Sequence, residues 1–181
     1  MKILQVIPFF SPKFGGTVTV LSQLSKELAY RGHDVTILTS DYDFDEGFAK
    51  GIEDHGVKVI PLRTQFNFGL FIYTPAIKQW LNENGDNFDL IHMHNYRAYQ
   101  NNCVFKHAVN NNIPYVLQAH GSVLPVIHKE RIKKIYDHVW GYRILTNASK
   151  MIAVSDAEYQ QYVHMGISEE KIAVMPNGID I

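Results

Sequence analysis

Cysteine is nearly absent from this 181-residue chain: Cys103 stands alone, so no internal disulfide can form and a reducing compartment is expected. No apolar run approaches the length of a membrane span, and Met1-Lys2-Ile3-Leu4 runs straight into a strand pattern without signal-peptide shape, so the expected location is cytoplasmic. No excess of one charge sign exists either. The formal net charge is −1, which gives nucleic acid no electrostatic hold and argues against it as a partner. Two phosphate-binding signatures are missing as well: no G-x-G-x-x-G fingerprint and no G-K-[ST] of a P-loop. What remains is ordinary for a globular domain, with 46% hydrophobic and 19% charged residues.

Short apolar runs alternate with helical patterns along the whole chain. KILQVIP (2–8), DVTILTS (34–40), VKVIPL (57–62), FDLIHMH (88–94), PYVLQAH (114–120), KMIAVS (150–155) and KIAVMP (171–176) read as strands. Val20, Leu21, Leu24 and Leu28 repeat at helical spacing, with Gly32 as a stop. Further helices are expected at 75–85, from about 95 to 111, over 128–148 and at 156–166, while 41–56 is polar and resists assignment. Cys103, inside one of these helices, reads as an inert core thiol. The alternation predicts an α/β fold: a Rossmann-like, doubly wound, mainly parallel sheet of about seven strands. Ligands of such sheets bind beyond the carboxyl ends of the strands, where strand order reverses. Three chemically loaded segments fall there: 8–16, 94–97 and 120–125.

In the first, Gly15 and Gly16 open a helix directly. Free N–H groups and the positive end of the helix dipole suit a phosphate there; a ligand-free turn is the other reading. His92 and His94, two apart on a strand, point to one face, but no third ligand stands at metal spacing and none is expected. His92 reads as a core histidine, whereas His94 is expected to line the cleft. Tyr96 and Arg97 either meet an acceptor or sit in a surface loop, and Ser122 either bonds an acceptor or caps a turn. His120 ends a strand beside Gly121, as a site residue or as a strand cap. HKERIKKIYDHVWGYR mixes Lys129, Arg131, Lys133 and Lys134 with aromatics, and FNFGLFIY (66–73) packs four aromatics around a glycine, as core or as an acceptor-side loop.

Taken in order, KILQVIPFFSPKFGGTVTVLSQLSKELAYRGHDVTILTS, FDLIHMHN, PYVLQAHGSVLP, ASKMIAVSDAE and KIAVMPNGID resemble the N-terminal, acceptor-side domain of retaining glycosyltransferases of the GT-B fold, family 4. The resemblance implies one acceptor-side domain over 1–176 and the start of an inter-domain link at 177–181, including Asn177 and Gly178. A second, nucleotide-sugar domain is then expected after Asp180. It implies transfer from a nucleotide-sugar to a glycan or lipid-linked acceptor with retention, in polysaccharide or glycoconjugate assembly, with no cofactor and no metal. It places His120 against the transferred sugar and Gly15, Gly16 and Thr17 at the donor phosphate. His94, Tyr96, Arg97, Gly121 and Ser122 would line the acceptor side. For the basic segment it implies peripheral contact with the inner face of a membrane; a solvated basic face is the alternative. Two other readings stay open: half of a GT-B sugar-nucleotide 2-epimerase, or a stand-alone Rossmann-like binding or regulatory module.

Overall fold

The computed structural model describes residues 1–123 and 130–178. Seven parallel strands form one sheet: β1 (Lys2–Val6), β2 (Asp34–Ser40), β3 (Lys58–Leu62), β6 (Leu90–His94), β7 (Tyr115–Gln118), β8 (Lys150–Ala153) and β9 (Ile172–Val174). A small antiparallel hairpin, β4 (Phe66–Phe68) and β5 (Phe71–Tyr73), stands apart from it. The sheet order is β3-β2-β1-β6-β7-β8-β9. The chain therefore winds outward from β1 to one edge, returns to the middle, and winds to the other edge. The reversal point lies between β1 and β6, as a doubly wound sheet requires.

Alternate residues of each strand supply two cores. Leu4, Val6, Leu38, Ile91, Met93, Leu117 and Met151 face one side. There they meet α3 (Ala76–Asn84), α4 (Tyr99–Asn110), α6 (Tyr142–Asn147) and α7 (Asp156–His164). Val35 and Ile37 face the other side, under α1 (Gly16–Tyr30) and α2 (Glu46–Glu53). Strands covered on both faces read as nearly unbroken apolar runs, which is why all seven were visible in the sequence. The second face changes character toward the middle of the sheet. Gln5, His92, His94 and Gln118 all fall on it by strand alternation, and all are buried.

Helix α1 turns Val18, Leu21, Ser22 and Ser25 inward, not the full expected stripe. Val20 and Leu24 instead help line a groove of about 740 Å³, with His92, Gln118, Ile152 and Met175. Asn177 and Gly178, the expected link, sit at its rim. Four further differences from expectation have local causes. The polar stretch 41–56 holds α2, capped by Asp45, whose Oδ1 accepts from Phe48 N at 2.9 Å; only Ala49 and Ile52 of this helix are buried, so its apolar signal is faint. The 66–73 segment is not core: Phe66, Phe68, Leu70 and Phe71 are exposed, while Ile72 is buried. The long helical pattern is α5 (Glu130–Tyr136), a π-helical turn (Asp137–Gly141) and α6, and its expected start at 128–129 lies outside the described residues. Four strands end two residues short of the expected boundaries, at Val6, Gln118, Ala153 and Val174, because the backbone turns away at the sheet's carboxyl edge.

Candidate functional site

The first wall of the site follows β1. Phe9 and Phe10 are buried, Phe9 stacks on Phe14 at 4.2 Å between ring centroids, and Pro12–Phe14 forms a short 3-10 turn. Gly15 then takes φ 75°, ψ −145°, a region open in practice to glycine alone, and its N–H donates to Pro12 O at 2.9 Å. Helix α1 starts at Gly16. Val18 and Thr19 N–H both reach back to Gly15 O, at 3.1 and 3.3 Å, leaving those of Gly16 and Thr17 at the open helix end. A Cβ on Gly15 or Gly16 would meet nothing within 4 Å. The space in front of this turn is thus free on its outer side. Lys13, the nearest cation in sequence, is paired with Asp43.

The second wall follows β6 and β7. His120, Asn95 and Arg97 hold φ of 52°, 64° and 64°, a left-handed conformation that β-carbon sterics disfavour, and Gly121 follows at 78°. Four non-adjacent supports fix this backbone. Tyr162 Oη accepts from Ala119 N at 3.1 Å. Glu158, itself buried, accepts from Gly121 N at 2.6 Å through Oε1 and from Val154 N at 2.8 Å through Oε2. Ser122 Oγ donates to Ala119 O at 2.6 Å and accepts from Tyr96 N at 3.2 Å. Arg97 donates to Ser122 O and Val123 O at 2.6 and 2.7 Å. It also grips Asp137 bidentately at 2.9 and 2.6 Å, and Tyr96 Oη donates to the same carboxylate at 2.9 Å. Gly141, in the π-helical turn, makes room for this cluster: a Cβ there would lie 2.1 Å from Tyr96 Oη and 2.8 Å from Asp137 Oδ1.

These contacts assign the expected site residues. His120 and Gly121 are at the carboxyl edge of β7, Gly15, Gly16 and Thr17 at that of β1. Two strand spacings separate the walls, roughly 10 Å. His94, Tyr96 and Arg97 do not line an open cleft: His94 is 0% exposed, Tyr96 6%, and the Arg97 side chain is spent on Asp137 and two carbonyls. Ser122 caps its turn. Leu124 and Pro125, in the third expected segment, lie outside the described residues, as do Lys129 and Asp180. Arg131 and Lys134 are exposed and Lys133 half-buried on the basic helix.

Behind His120 stands a row of polar rings. His120 Nε2 lies 3.0 Å from His94 Nδ1, and His94 Nε2 lies 2.7 Å from Gln5 Oε1. His92 packs on His94 with ring centroids 4.1 Å apart. Burial lowers the His120 pKa to about 4. Burial, then repulsion from His120, lowers that of His92 to about 3. His94 is held well below the usual range by burial and by both other imidazoles. All three are neutral near pH 7, so this wall offers hydrogen bonds and not charge. Among the described residues no group of three or more His, Cys, Asp or Glu side chains is placed to hold a metal ion.

Gln5, Asp137, Glu158 and Tyr162 escaped the sequence reading. Faint signals for three existed: a polar residue inside the apolar run KILQV, the lone acid of 131–149, and Ser155-x-x-Glu158, a capping-box spacing. Ser155 does cap α7, accepting from Glu158 N at 3.3 Å, but the Glu158 carboxylate bridges two strand ends instead of closing the box.

A doubly wound parallel sheet with its site at the reversal point is the Rossmann-like architecture found in GT-B proteins. Residues 14–181 match the model of Glycosyltransferase Family 4, and the chain belongs to that family. An uncharacterized glycosyltransferase of Methanocaldococcus jannaschii is 24% identical over 186 residues, covering 99% of this chain and 47% of the relative. Among solved structures, Anabaena HepE in complex with UDP and glucose superposes with a TM-score of 0.71 at 20% identity, covering 99% of this chain and 45% of HepE. The lipopolysaccharide outer core galactosyltransferase WaaB gives 0.64 at 18%, covering 100% and 47%. The UDP-GlcNAc 2-epimerase of Methanocaldococcus jannaschii gives 0.66 at 15%, covering 98% and 46%; at such identities the likeness is one of fold. The chain spans about half the length of the relatives it matches.

Proposed function

We propose that this chain is the acceptor-side half of a retaining hexosyltransferase, which moves sugar from a nucleotide-sugar donor to a glycan or lipid-linked acceptor in polysaccharide or glycoconjugate assembly. One observation carries the reading: a neutral His120, rigidly held, faces the carboxyl edge two strands from an open helix N-terminus at Gly16. In that arrangement the Gly16 and Thr17 N–H groups receive the donor diphosphate as negative charge develops on it. His120 orients the sugar by hydrogen bonding, since a neutral imidazole brings no charge of its own. With Lys13 tied to Asp43, the balancing cations come from the half of the relatives' length that this chain does not span. UDP and glucose in the HepE complex support a nucleotide-sugar as donor. The reaction is proposed to need no metal or cofactor. Exposed Arg131, Lys134, Ile135 and Trp140 favour a peripheral seat on the cytoplasmic face of an anionic membrane.

The test is a panel of UDP-, GDP- and ADP-sugars with a lysate-derived acceptor pool, applied to the polypeptide of the complete reading frame and to the 181-residue chain alone. Transfer with retained anomeric configuration is expected from the former, and weak donor binding without turnover from the latter. His120→Ala in the active polypeptide is expected to abolish most turnover with the fold intact. Inverted product, or turnover by the isolated chain, overturns the reading.

A further inference from the structure

The polar row behind His120 is expensive. Gln5 is 0% exposed between Leu4 and Val6, and among the described residues its Nε2 has no hydrogen-bond partner. His92 Nε2 is also buried without one. A buried polar atom left unpaired costs about 1–3 kcal/mol, so an apolar residue at position 5 would serve the core better. Stability does not explain Gln5; its contacts do.

A neutral imidazole carries one N–H and one lone pair. Both nitrogens of His94 are engaged, one by Gln5 and one by His120. Gln5 presents Oε1, which can only accept, so the His94 proton sits on Nε2. His94 Nδ1 is then a lone pair, and it can be satisfied only by a donor. His120 must supply it from Nε2–H. The proton of neutral His120 is thereby committed inward. Its Nδ1 is left as a lone pair with no hydrogen bond among the described residues, on a ring that is partly exposed.

We infer that Gln5 and His94 are positioning residues that set the tautomer of His120, making it a hydrogen-bond acceptor toward whatever occupies the site. The relay runs sideways across three adjacent strands, β1, β6 and β7, so the strand feeding the glycine turn also fixes the opposite wall. A site of this polarity selects a group that donates, such as a sugar hydroxyl, and disfavours phosphate or carbonyl oxygens at that point. The link to sugar rests on the transferase reading above; the tautomer does not.

The experiment is a long-range proton–nitrogen correlation spectrum of the chain with ¹⁵N-labelled histidine, for the natural sequence, Gln5→Leu and Gln5→Glu. In the natural chain both His94 and His120 are expected to carry the proton on Nε2, each as a slowly exchanging resonance. Gln5→Leu removes the acceptor, and His120 is expected to become a mixture of tautomers with its N–H resonance lost to exchange. Gln5→Glu keeps an acceptor at that place and is expected to restore the natural pattern, a rescue that simple core packing would not give. A His120 proton on Nδ1 in the natural chain, or a His120 pattern indifferent to Gln5→Leu, overturns the inference. In the active polypeptide, Gln5→Leu is expected to lower kcat about tenfold or more while Gln5→Glu keeps it; an unchanged kcat in Gln5→Leu overturns the relay's part in catalysis. Failure of every nucleotide-sugar to bind, with the tautomers as stated, would defeat the transferase reading and leave the relay standing.

Discussion

The two walls of the site are built on opposite plans. The His120 wall is dense: three non-glycine residues in the left-handed region, an arginine–aspartate pair largely withdrawn from solvent, and backbone N–H groups received by a buried glutamate and a tyrosine. The Gly15–Gly16 wall is bare, with open space where side chains would be. Under the proposed function the contrast has a reason: a ring that orients a sugar needs its backbone held, whereas a backbone that receives a large anion needs to be left uncovered. The strain at His120, Asn95 and Arg97, of order 1–3 kcal/mol for each such residue, persists because the surroundings over-determine it.

The contrast is sharpest under substitution. Asp137→Ala strips the carboxylate from a nearly buried Arg97 and a buried Tyr96, and a drop of about 3 kcal/mol in unfolding free energy is expected from urea denaturation. A loss below 1 kcal/mol would mean that the dense wall is not held by this pair.

Acid attacks the same wall. The folded-state pKa of His92 and His120 lies below the ordinary 6.5, so the unfolded chain binds more protons as pH falls through 6.5 toward 4. Stability contributed by these neutral rings is whole above pH 6.5. It is lost below, by up to about 1.4 kcal/mol per pH unit for each ring. His92→Gln is expected to flatten the stability–pH slope by close to one such increment between pH 6 and 4; parallel slopes would contradict the neutral core.

On the bare wall the effects are smaller and split between stability and binding. Gly15→Ala forces a β-carbon into φ 75°, and a loss of about 1–3 kcal/mol is expected from thermal melts. Gly16→Ala meets no neighbour, and a change within about 0.5 kcal/mol is expected. Yet the added methyl stands where a phosphate would approach, so in the active polypeptide kcat/KM should fall while the melting temperature holds. Equal losses of stability at the two glycines would erase the distinction drawn between them.

The amino-acid sequence by itself determined the seven strands, their parallel pairing in a doubly wound sheet and the carboxyl-edge placement of Gly15, Gly16 and His120. Each of those follows from short-range pattern: apolar runs of strand length, helical spacing between them, and glycine where a turn must open. The role of each edge residue was a different matter. Tyr96 and Arg97 follow a strand and look like cleft residues, but Arg97 meets Asp137 forty positions away and turns inward. Gln5 and His94 are 89 residues apart and meet only because β1 and β6 become neighbours at the reversal point. The aromatics of 66–73 read equally as core or as an acceptor-side loop, and Phe66, Phe68 and Phe71 are exposed because their hairpin stands off the main sheet. Hydrogen bonds between side chains far apart in sequence leave no periodic trace, so only the tertiary structure decided which polar residues face the site and which ones hold it.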